Sequence, residues 1–102
     1  MAVLQKINNA VTMTSKPAYV INGYGIHCRP SAIIVKEARQ YNADIKVIGE
    51  DGHEADAKNS LELIGLAVTQ GQTVTIQVSG ENEEAVCDRM VDMFETNYDF
   101  ER

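Results

Sequence analysis

One short run of this chain, Gly25-Ile26-His27-Cys28-Arg29-Pro30, puts a nucleophile, a fixed cation and a helix-starting residue side by side. The His27 imidazole is a nitrogen nucleophile when neutral and a good leaving group when protonated. Arg29 carries a forked guanidinium that matches phosphate oxygens. Pro30 suits the first turn of a helix, where its missing N–H has no intrahelical partner. Ser31, Ile34, Val35, Ala38 and Tyr41 then fall on one face at helical spacing. A helix start here offers unpaired N–H groups, those of Cys28 and Arg29 among them, and about half a positive charge. Phosphate is the anion such an end holds best. The chemistry these residue types support is reversible phosphoryl transfer, with His27 as acceptor and Arg29 beside the transferring group.

Elsewhere the polar residues read more plainly. His53 follows an Asp-Gly turn between Asp51 and Glu54, which makes it a solvated loop residue. Cys28 and Cys87 have no metal-ligand spacing and read as two free thiols. Cys87 lies at the margin of an apolar helical stripe and reads as a packing residue.

The elements that must position His27 follow from periodicity. Ala18, Val20 and Asn22 alternate with Tyr19 and Ile21, predicting a strand after Pro17. Asn22 to Gly25 form a loop with two glycines free to take positive φ. The first helix spans about 29–41. Ile45 and Val47 share one face of a second strand. Gly49 to Gly52 make a hairpin turn, and a short return strand covers about 53–58. Residues 59–69 predict a short helix with Leu63, Leu66 and Ala67 inward and Gly71 as its stop. Val74, Ile76 and Val78 alternate with Thr73, Thr75 and Gln77 in the clearest strand of the chain. A last helix follows, with Glu83 and Glu84 in its first turn and Val86, Met90, Met93 and Phe94 as its buried stripe. The order βαββαβα is an α+β fold. A four-stranded antiparallel sheet with three helices on one face buries all these stripes at once. Residues 1–15 show no clean period and read as an N-terminal extension, leaving 16–102 as the domain.

Composition bounds the function. A chain of 102 residues makes one domain. Its net charge of −6 argues against nucleic acid and against an anionic membrane surface. No apolar run is long enough to span a bilayer, and MAVLQKINN has neither a basic start nor an apolar block. A cytoplasmic protein without direct membrane insertion is expected.

Gly25-Ile26-His27-x-Arg29-Pro30-x-Ala32 resembles the active-site signature of HPr, the histidine-containing phosphocarrier of the bacterial phosphoenolpyruvate:sugar phosphotransferase system. Asp56 to Leu61, Thr69-Gln70-Gly71 and Val74-Thr75-Ile76 are similar to the family's middle helix and last strand. The likeness extends over about residues 17–96. It implies an HPr-like open-faced β-sandwich and phosphorylation of His27 on Nδ1. The phosphate would come from phospho-enzyme I and pass to IIA domains of sugar permeases. The protein would then be a phosphoryl-transfer intermediate rather than a turnover enzyme, a monomer with no cofactor or metal. Ile33, Leu61 and Ile64, apolar residues read as exposed on two helices, match the family's docking face. Cys28 stands where the family commonly has threonine or alanine. Asn59 stands where the family usually has the serine that HPr kinase phosphorylates, and Ser60 follows it, so regulation at this place is expected to be absent unless the kinase uses Ser60. A regulatory HPr-like paralogue, of the nitrogen branch or of carbon regulation, is the alternative. A hydrolase built on His27 lacks a partner acid and a nucleophilic serine in a recognisable setting.

Overall fold

The computed structural model describes residues 12–23, 25–26 and 28–98. Its centre is the strand with the cleanest alternation. Thr73–Gly80 buries Val74, Ile76 and Val78 on one side. It pairs antiparallel on both flanks, with Thr14–Tyr19 on one and Ala43–Ile48 on the other. Glu54–Asp56 adds to the far side of Ala43–Ile48. With the strands named β1 to β4 in chain order, the sheet runs β1-β4-β2-β3. Helices α1 (Cys28–Ala38), α2 (Ser60–Gly65) and α3 (Glu83–Phe94) complete the order βαββαβα. β1 and β2 lie parallel with β4 between them, and β3 and β4 lie parallel with β2 between them. The chain is therefore two interlocked split β-α-β units. The inward residues of the sheet and of all three helices form one apolar core. Ile34, Val35 and Ala38 come from α1, Leu63 from α2, and Val86, Cys87, Met90, Met93 and Phe94 from α3.

β1 takes in Thr14 and Ser15, which the sequence alone leaves in the N-terminal extension. Pairing with Val78 and Gln77 draws them into the sheet; residues 1–11 lie outside the described residues. Pro17 sits inside β1, opposite Thr75. It is tolerated because β1 is an edge strand. α1 stops at Ala38, short of the expected 41. Gln40 N–H donates to Glu37 O and Tyr41 N–H to Ala38 O, which tightens the last turn. β3 is shorter than expected because the chain turns to meet α2: Lys58 N–H donates to the Asp56 carboxylate and Asn59 N–H to Asp56 O.

The largest correction concerns α2. It ends at Gly65, with Leu66 half-buried, and Ala67 is exposed rather than inward. Ala67 takes φ 54°, a left-handed conformation that ends the helix and brings Val68 into the core instead. Gly71 stops no helix; it closes the following turn, donating its N–H to Val20 O.

Candidate functional site

The loop before α1 is fastened from beneath. Gly25 has φ 74°, and a Cβ on it would lie 2.2 Å from Val68 O. Only glycine fits this close approach. Ile26, 1% exposed, donates its N–H to the same Val68 O at 3.0 Å. The turn created by Ala67 thus presents the carbonyl that holds the loop. From the other side Gly25 N–H donates to Asn22 O at 2.9 Å, and Asn22 Nδ2 donates to Gly25 O at 2.7 Å.

α1 opens directly after this loop. Cys28 and Arg29 are exposed in its first turn, and Pro30 is buried beneath them. Ser31 is fully buried, and its hydroxyl donates to Cys28 O at 3.2 Å. The apolar stripe Ile34, Val35 and Ala38 anchors the helix to the sheet. Its open N-terminal turn therefore faces outward with Arg29 on it, a setting suited to a phosphoryl anion. His27 itself, the acceptor expected from the sequence, lies with Tyr24 outside the described residues. Its neighbours on both sides, Ile26 and Cys28, are fixed as above.

α1 and α2 pack side by side. Ile33 is 39% exposed and Leu61 79%, while Ile64 is half-buried. The exposure expected of Ile33 and Leu61 is present, on neighbouring helices; Ile64 is more covered. Asn59 caps α2: its Oδ1 accepts from Glu62 N–H at 3.2 Å. The Glu62 carboxylate reaches back to accept from Asp56 N–H at 2.8 Å and from Asn59 Nδ2 at 3.4 Å. Ser60, the first helical residue, is half-buried.

His53 pairs with Asp51 within the turn that joins β2 to β3, 2.9 Å from Nδ1 to the carboxylate, with its side chain 79% exposed. Its backbone N–H and ring together hold the Asp51 carboxyl below the usual range. It is a loop histidine away from any helix start. Cys87 is fully buried, its thiol donating to Ile76 O, and burial pushes that thiol up. Both cysteines are free thiols.

A protein family described as "PTS HPr component phosphorylation site" matches residues 14–96, most of the chain. The chain belongs to the HPr family. It is 38% identical over 84 residues to the phosphocarrier protein HPr of Haemophilus influenzae, covering 82% of this chain and 98% of that one. It is 33% identical over 66 residues to the HPr-like protein Crh of Bacillus subtilis, covering 65% of this chain and 76% of Crh. The crystal structure of HPr from Bacillus anthracis superposes with a TM-score of 0.79 at 27% identity, over 83% of this chain and all of that one. The four-stranded open sheet with three helices is thus the HPr fold. Among the described residues no helix is long and apolar enough to cross a membrane.

Two features of this candidate site are poorly marked in the sequence. One is Ala67, whose left-handed turn aims Val68 O at the loop. The other is Asn22, fully buried. A polar residue continuing the inward phase of Ala18 and Val20 is the one signal that could have flagged it.

Proposed function

We propose that this chain is a phosphocarrier of the phosphotransferase system, accepting phosphate on His27 from phospho-enzyme I and passing it to IIA domains of sugar permeases. The observation that carries this reading is the start of α1 one residue after His27, with Arg29 in its exposed first turn and the preceding loop bound to Val68 O. In the transfer the neutral His27 nitrogen attacks phosphorus in line with the bond that holds it to the donor. The new N–P bond forms as that bond breaks, and the donor atom keeps the released electron pair. Arg29 and the first N–H groups of α1 stabilise the charge on the equatorial oxygens. The second transfer reverses the sequence, with His27 as leaving group. Ile33, Leu61 and Ile64 form the docking face used by both partners in turn. The carrier works as a cytoplasmic monomer, and Asn59 leaves it outside HPr kinase control.

The test is incubation with enzyme I and labelled phosphoenolpyruvate. Acid-labile, base-stable label on His27, lost in a folded His27→Ala protein, is expected. Label persisting in that variant, at His53 for instance, would overturn the assignment. The similarity to Crh favours a second reading, a regulatory HPr-like module. Phosphorylated protein that gives no phosphate to any IIA domain would favour that reading.

A further inference from the structure

The chain continues beyond the part that the family pattern covers, which ends at residue 96. After α3 it runs past the end of β1, where the Glu95 carboxylate accepts from Tyr19 N–H at 3.0 Å. Two residues beyond the pattern, Tyr98 is secured by its phenol, which donates to Met93 O at 2.6 Å. Its backbone N–H then donates to Asn22 Oδ1. Asn22 is one of two polar side chains buried among the described residues, and its other end donates to Gly25 O. The amide is therefore held in one orientation. Turned over, it would set oxygen against the Gly25 carbonyl and NH2 against the Tyr98 N–H, opposing both contacts. Through this amide the tail reaches the peptide joining Gly25 and Ile26. That peptide is gripped at both ends, its carbonyl by Asn22 and its N–H by Val68 O. The next peptide leads into His27.

We propose that Asn22 and the backbone N–H of Tyr98 form a latch through which the C-terminal segment positions the loop leading into His27. Asn22 is a positioning residue: it acts on the acceptor through the Gly25–Ile26 peptide, and its role in transfer rests on the phosphocarrier reading above. An apolar side chain at position 22 could fill the volume, but it would leave Gly25 O and Tyr98 N–H without this partner. The latch therefore explains why an amide is buried at a place whose alternation asks for an aliphatic residue.

The test compares Tyr98→Pro with Tyr98→Ala in the full chain. Both lose the phenol and its bond to Met93; only proline also removes the N–H. Hydrogen exchange of the Gly25 and Ile26 amides should be about tenfold faster in the proline variant than in the alanine variant, the effect of losing one buried hydrogen bond. The Val74, Ile76 and Val78 amides of β4 should exchange alike in both. Phosphoryl transfer from phospho-enzyme I should show a lower kcat in the proline variant with KM for the partner unchanged, since the docking face is untouched. Equal exchange at Gly25 and Ile26 in the two variants would overturn the latch. So would acceleration that is as large in β4 as in the loop, which would mark general loss of stability. The exchange comparison needs no phosphate donor. It judges the latch even if the parent chain takes no label, an outcome that would count against the phosphocarrier reading alone.

Discussion

Substituting Gly25 by alanine tests how tightly the loop before His27 is held. The added Cβ would meet Val68 O at 2.2 Å, Thr69 Cα at 2.9 Å and Val68 C at 3.2 Å. These are backbone atoms of a turn already committed to the core through Val68, so no side-chain rotation relieves the overlap. The loop must withdraw by about 1 Å to reach ordinary contact distance, and the Ile26 N–H to Val68 O bond of 3.0 Å is lost with that movement. Three contributions add. A left-handed alanine at φ 74° costs about 1–2 kcal/mol. The buried N–H and carbonyl left apart cost about 1–3 kcal/mol. The stiffer unfolded chain returns about 0.4–1 kcal/mol. Gly25→Ala should therefore destabilise by about 1–4.5 kcal/mol, a fall in Tm of roughly 4–35 °C for a domain of this size. Urea and thermal unfolding followed by circular dichroism measure both. Gly65→Ala is the control: its Cβ meets nothing within 4 Å on α2, so it should be stabilising by about 0.5–1 kcal/mol. A Gly25→Ala protein melting within about 2 °C of the parent would refute the reasoning, because neither the contact nor the left-handed backbone could then be real.

Three further outcomes are expected. Leu61→Asp should weaken binding to enzyme I by at least about tenfold, in line with more than 1 kcal/mol for an apolar anchor, and shift Tm by only about 2–4 °C because Leu61 is 79% exposed; calorimetric titration and a melt check both. Asn59→Ala should cost about 1 kcal/mol by removing the α2 cap, whereas Asn59→Ser should keep the cap and become a substrate for HPr kinase, with the parent unmodified on intact-mass measurement. The Tyr41 hydroxyl and then Arg89 hold the Glu37 carboxyl below its ordinary 4.5, so its contribution is full above that pH and disappears as pH falls through the lowered value. Urea midpoints of the parent and Glu37→Gln should therefore differ at neutral pH and converge in acid.

Much of the fold could be read from the chain because periodicity and burial agree there. Val74, Ile76 and Val78 point inward as their alternation predicts, and α3 buries the stripe from Val86 to Phe94. The start of α1 was legible because proline and the apolar stripe mark the same place. Ala67 was not, because alanine is the strongest helix former and nothing local announces that it turns left-handed. What selects that turn is tertiary: Val68 must enter the core and point its carbonyl at the loop. The latch was hidden for a related reason. Asn22 and Tyr98 are 76 positions apart, and no period within either segment connects them. His27 shows the reverse case: the acceptor role expected of it rests on its neighbours in sequence, while the residue itself lies outside the described residues.

The strand order has a consequence for how the protein is made. β4, the strand that both β1 and β2 need as a neighbour, leaves the ribosome after five of the seven described elements. Until Thr73–Gly80 has emerged, β1 has nothing to pair with and β2 has only the short β3. Synthesis is slow beside the closing of such contacts, so the chain waits with its two longest-range pairings unmade. Folding of this domain waits on the emergence of Thr73–Gly80: a nascent chain stalled before Thr73 carries the whole His27 motif with no sheet beneath it.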